Sequence, residues 1–201
     1  MGRGHGGSRG SSPRSYDGYS SAQARDLANK YLGDVSNPAL KRELADGLAA
    51  FENEFGIPAR VTVTVKDLGR GTYGQIYPHS GRIEINSRYE DGRLDLSHAK
   101  HTMIHELAHS IDKTLDKDVE LKGYRIVRKV KPENKGYEKQ LRAAYKTFKF
   151  NYGNEATKQI GGYALTDKNE FFADAIATHM TGTKNAYTTV AFNLAKSMTG
   201  K

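Results

Sequence analysis

Two histidines four residues apart on a helix lie on one face and can share one metal ion, and His105-Glu106-Leu107-Ala108-His109 has that spacing. It is the H-E-x-x-H pattern. Glu106 falls about 100° round the helix from His105, close enough to take a proton from a water at the metal without being a ligand itself. The pentapeptide therefore points to a hydrolytic zinc site. Met103, Ile104, Leu107, Ile111 and Leu115 form an apolar stripe opposite the histidines, so the ligands are expected to face inward from a buried helix. On the ligand side His98, His101, His105, His109 and Asp112 fall within about 40° of one line. A core helix rarely tolerates so polar a stripe, and a metal explains it better than a solvated histidine-rich face does. His101, His105 and His109 are evenly spaced, but three ligands on one helix surround a tetrahedral ion poorly.

Any metal here must use His, Asp or Glu, because the 201 residues include no cysteine. That also removes disulfides, cysteine-ligated zinc fingers and cysteine nucleophiles. The length suits one domain plus a tail. Residues 1–20 are Gly, Ser and Arg with Pro13 and read as a flexible tail; residues 21–201 read as the folded domain. The start has no apolar signal region and no stretch approaches the length of a membrane span, so neither secretion nor a membrane partner is expected. The net charge of +8 would suit a polyanion, but ten Lys or Arg against Glu133 and Glu138 between residues 122 and 149 account for all of it. The aromatic residues interleaved there recur on the inner side of a helix, so a solvated face is favoured over a nucleic-acid site.

Taken in order, Ala24, Leu27, Ala28 and Tyr31 recur at helical spacing until Gly33. Asn37-Pro38 caps a second helix carrying Leu40, Leu44, Leu48, Phe51 and Phe55, which Gly56-Ile57-Pro58 ends. Residues 60–66 alternate Val61, Val63 and Val65 with threonines, a half-buried strand. Residues 73–77 and 82–86 flank Pro78-His79-Ser80-Gly81 and read as a hairpin, with His79 a turn residue. Residues 119–131 are mixed and basic; Tyr137, Leu141, Ala144, Tyr145 and Phe148 then mark an amphipathic helix.

A catalytic zinc takes three protein ligands and keeps a fourth position open, so a second segment must contribute. A metzincin would have histidine at position 115, where Leu115 stands. Residues 161–174, Gly-Gly-Tyr-Ala-Leu-Thr-Asp-Lys-Asn-Glu-Phe-Phe-Ala-Asp, combine a loop, a tyrosine and spaced carboxylates opening a helix. With Asp167 and Glu170 three apart, a capping box is the competing explanation. The pentapeptide with Ser110-Ile111-Asp112, and Tyr163-Ala164-Leu165-Thr166-Asp167 with Glu170-Phe171-Phe172-Ala173, resemble the gluzincin-like zinc metallopeptidases, in particular the catalytic domain of anthrax lethal factor and the clostridial Pro-Pro endopeptidases.

That resemblance implies an α+β zincin-like metallopeptidase: a small mixed sheet, then the active-site helix, then a mainly helical C-terminal half. It implies Glu170 as third zinc ligand and Tyr163 as donor to the developing oxyanion. Asp174, where relatives more often carry Glu, and Asp112 are candidates to hold a zinc histidine from behind. The activity implied is zinc-dependent endopeptidase, with Glu106 as general base and a protein or peptide substrate. An exposed strand beside the metal helix would let a substrate backbone add to the sheet, and residues 82–87 are the candidate. His179 reads as a surface or core-edge residue. The alternative is a basic nucleic-acid-associated or virion-type structural protein that keeps the fold without turnover.

Overall fold

The computed structural model describes residues 18–122 and 124–201, without the side chains of Leu121 and Lys122. Most of the expected tail, up to residue 17, thus lies outside the described residues. Helix α1 (Ala22–Tyr31) starts where the Ser21 hydroxyl accepts from Ala24 N at 3.1 Å, and buries Ala24 and Ala28. Helix α2 (Pro38–Phe55) is capped by Asn37, whose side chain accepts from Ala39 N and Leu40 N, and ends at Gly56 with φ 75°. Its buried face is Leu40, Leu44, Leu48, Phe51 and Phe55. Helix α3 (Ala99–Ile111) crosses it at Gly47, where a Cβ would stand 3.0 Å from Met103 Cβ and 3.1 Å from the Lys100 carbonyl. Only glycine allows that approach without a shift, so α2 acts as the bed of α3.

The three-stranded sheet comprises β1 (Thr62–Lys66), β2 (Gly74–Tyr77) and β3 (Arg82–Asn86). β3 pairs antiparallel with β2 as a hairpin, and parallel with β1 on its other side. The order β1-β3-β2 corrects one expectation: residues 82–86 form the central strand, with Ile83 and Ile85 fully buried, and cannot receive a further strand. The hairpin turn leaves β3 one open edge, and the valine-rich β1 closes it. The free edge packed beside α3 is β2.

The C-terminal half contains α4 (Lys135–Phe150), α5 (Glu155–Lys158), α6 (Lys168–Met180) and α7 (Ala186–Thr199). Helix α6 lies between α3 and α7, and the Phe148 ring of α4 sits 4.8 Å from Phe171 of α6. Helix α7, which the sequence reading did not single out, buries Ala191, Leu194, Ala195 and Met198. One hydrophobic cluster runs from Ala24 to Met198.

The mixed, basic segment is a second sheet, β4 (Lys117–Lys122) antiparallel to β5 (Arg125–Val130). Gly123-Tyr124 connects the paired residues Lys122 and Arg125, and a glycine-first two-residue link is a hairpin signal the sequence carries. The strands pack chiefly on each other, leaving Val119 and Ile126 about two-thirds exposed. No helix among the described residues is long and apolar enough to cross a membrane.

Candidate active site

Helix α3 is buried along nearly its whole length, with Met103, Ile104, Leu107 and Ala108 fully inside and His105, Glu106 and His109 at the floor of a cleft. The helix stops at Ile111 because the Asp112 side chain accepts from Thr114 N at 2.8 Å, so Leu115 does not extend the helical stripe but lines the cleft. Helix α6 approaches from the opposite wall. Its Glu170 Oε2 lies 3.1 Å from His105 Nε2 and 3.4 Å from His109 Nε2, and the two ring nitrogens are 3.2 Å apart. Zinc bonds of about 2.0–2.1 Å in a tetrahedron put ligand atoms roughly 3.3–3.4 Å from each other, so this donor set fits such an ion.

Behind the histidines, Asp174 Oδ1 lies 2.8 Å from His105 Nδ1 and 3.6 Å from His101 Nε2. His101, His105 and Asp174 form a second group that could hold a metal. That group would have to use His105 Nδ1, which the Asp174 bond engages; with Nδ1–H donated to Asp174, the lone pair of Nε2 points toward His109 and Glu170. Burial works against charge on His105, Glu170 and Asp174. For His105 the bonds to Asp174 and Glu170 outweigh it and raise the pKa to about 10. For Glu170 the bonds from His105 and His109 outweigh it and hold the carboxyl at about 2. A divalent cation binding here would compete with protons for His105 Nε2 and Glu170. Burial pushes the Glu106 carboxyl up, with the two histidines opposing it.

Tyr163 opens a short helical turn, Tyr163–Leu165, after Gly161-Gly162; its ring centroid is 6.0 Å from that of His105 and it is largely exposed to the cleft. Asp112 is not placed behind a site histidine as expected. Besides Thr114 it accepts from Asn169 Nδ2 at 2.6 Å, which ties the end of α3 to the start of α6. His98 sits on the rim against Tyr73, with ring centroids 6.0 Å apart. His79 is in the β2–β3 turn, and His179 is buried, stacked 4.3 Å from Phe192.

The segment from residue 74 to residue 186 matches the family described as glucose-regulated metallo-peptidase M90. This is more than half of the chain, and it takes in β2, the whole of α3 and α6, and Tyr163. The chain belongs to the M90 metallopeptidases. No curated protein and no solved structure matches it. Membership carries the metallopeptidase part of the resemblance read from the sequence, and with it a metal ion and a protein or peptide substrate; it does not single out lethal factor or the Pro-Pro endopeptidases.

The matched M90 segment begins on Gly74, a site residue the sequence reading missed. A Cβ there would stand 2.9 Å from Thr102 Cγ2 and 3.2 Å from both Cγ and Oε1 of Glu106. Glycine inside a strand is a legible sign of close approach, and here it lets the edge strand lie against the Glu106 carboxyl. Gly74→Ala is expected to lower kcat/KM by roughly 10- to 10²-fold through displacement of Glu106 or β2, with the metal content unchanged. Peptide hydrolysis and metal analysis on the same preparation check this; full activity would show that the contact relaxes harmlessly.

Proposed function

We propose that the chain is a zinc-dependent endopeptidase of zincin-like architecture, in which His105, His109 and Glu170 hold the metal. What carries this reading is the convergence of three ligand atoms from two helices, 3.1–3.4 Å apart, beside a buried carboxyl in an M90 chain. When bound, the zinc supplies Lewis acidity, lowering the pKa of water and polarising a carbonyl. Glu106 takes a proton from the attacking water and returns it to the departing amine nitrogen. The Tyr163 hydroxyl donates to the oxyanion that develops on the scissile carbonyl. Asp174 holds His105 Nδ1–H and so keeps Nε2 turned into the site.

The cleft, about 610 Å³, has the size of a ligand site. It continues past His109, Leu115 and Pro78 into a second depression of about 370 Å³, so chain can extend beyond the scissile bond. That continuity favours internal cleavage over trimming of ends. The β2 edge offers backbone groups along the cleft to which an extended substrate can add as a strand.

The test is metal analysis together with a peptide-library cleavage profile. About one zinc per chain is expected, with hydrolysis at internal bonds that chelators abolish and zinc restores. A metal-free protein of equal activity, or release of single terminal residues only, would refute the reading.

A further inference from the structure

A groove of about 1000 Å³ runs between the β4–β5 hairpin and α4. Its walls carry seven cations against two carboxylates. Of the cations, Lys117 and Arg128 come from the hairpin and Lys135 and Lys146 from α4; all four are exposed, and none has an ion-pair partner among the described residues. The two carboxylates are engaged: Glu138 by Arg142 at 2.5 Å and Lys168 at 3.1 Å, Asp167 as the cap of α6. Unpaired like charges held on facing elements repel one another and are relieved by an anionic ligand.

The position of the groove says what kind of anion. It shares Asp167 and Asn169 with the catalytic cleft, so a chain lying in one is led into the other. Its single ring among the described residues, Tyr145, is turned inward, with the hydroxyl donating to the Leu165 carbonyl at 2.7 Å and the ring packed 6.0 Å from Phe171. The groove therefore offers no stacking platform for bases.

We propose that the hairpin–α4 groove docks an acidic segment of the polypeptide substrate, outside the residues that flank the cleaved bond. This deepens the peptidase reading and rests on it. The hairpin is then a recognition arm: acidic substrates are drawn to the groove, and the local concentration of their scissile segment at the cleft rises with no new contact at the metal. The dependence should appear in KM and weaken with salt, since exposed charges are screened beyond about 10 Å at 0.1 M ionic strength.

The probes are a neutral peptide taken from the cleavage profile, the same peptide with about eight glutamates joined through a Gly/Ser linker at either end, a fluorescent octaglutamate, and a short DNA duplex. Wild-type protein is compared with a Lys117→Gln, Arg128→Gln, Lys135→Gln, Lys146→Gln variant, whose zinc content and hydrolysis of the neutral peptide report that it is folded. At least one tailed peptide is expected to show a KM about tenfold below the neutral one at low salt, with kcat little changed, and the variant should lose this advantage. Octaglutamate should bind the wild type and bind the variant about tenfold more weakly. Hydrolysis with no gain from either tail, or a gain the variant keeps, overturns the docking groove and leaves the peptidase reading intact. Duplex binding through the same four residues, with octaglutamate unbound, overturns it in favour of nucleic acid. Octaglutamate binding that the four substitutions abolish, in a protein that hydrolyses nothing, supports the acidic-segment groove and overturns the peptidase reading instead.

Discussion

Glu106→Gln is expected to give a folded, zinc-loaded protein whose kcat has fallen by roughly 10²–10⁴, the usual weight of a general acid–base group. The amide keeps the shape of the side chain and its place under Gly74, where a Cβ on the strand would stand 3.2 Å from Oε1, but it has no basic oxygen to accept the proton of water. Zinc should remain, because His105, His109 and Glu170 are untouched. Folding should persist as well, because Gln matches Glu in shape and burial already opposes ionisation of this carboxyl. Peptide hydrolysis, metal analysis and thermal unfolding on one preparation decide the matter. Loss of zinc in this variant would make Glu106 a ligand, and retention of activity would move the base elsewhere.

Glu170→Gln is expected to behave differently, with zinc affinity falling substantially and activity with it, since a neutral amide oxygen is a poor zinc ligand. The competing role for Glu170 is as partner in a capping box with Asp167, and only half of that box is present. The Asp167 carboxylate does accept from Asn169 N at 2.6 Å and Glu170 N at 3.1 Å. The Glu170 carboxylate, however, turns to the two histidines rather than back to the Asp167 amide. Gln should thus cost the helix only tenths of a kcal/mol while emptying the metal site. Tyr163→Phe is the companion: zinc and folding persist and kcat drops by roughly 10²–10³, the cost of one oxyanion donor. A Glu170→Gln protein with full zinc and full activity would end the assignment whatever Tyr163→Phe does.

Much of this site follows from local rules. Helical spacing alone puts His105 and His109 on one face with Glu106 beside them, because 3.6 residues per turn leaves no other arrangement. The cap chemistry of Asn37-Pro38 and of Asp167 likewise starts α2 and α6 where the sequence says, since those bonds are made within three residues. The strands at 62–66, 74–77 and 82–86 were legible for the same reason, as alternation and turn residues act over a few positions.

Partners distant in the chain were not legible. Three strand patterns in order say nothing of which one ends in the middle, and it was the parallel pairing of β1 with β3, residues 62–66 on 82–86, that made β2 the free edge of the cleft. Asp112 and Asp174 are equally plausible on paper as supports for a histidine. The crossing of α3 over α6 brings Asp174 to His105 Nδ1 and hands Asp112 to Asn169. The ten cations of residues 122–149 read as a solvated face along the chain, yet the folding of the hairpin toward α4 puts part of them across a groove from one another, with Lys117 joining from the other strand. Periodicity reports the face a residue takes on its own element; only the packing of elements decides what that face meets, because those contacts join residues tens of positions apart.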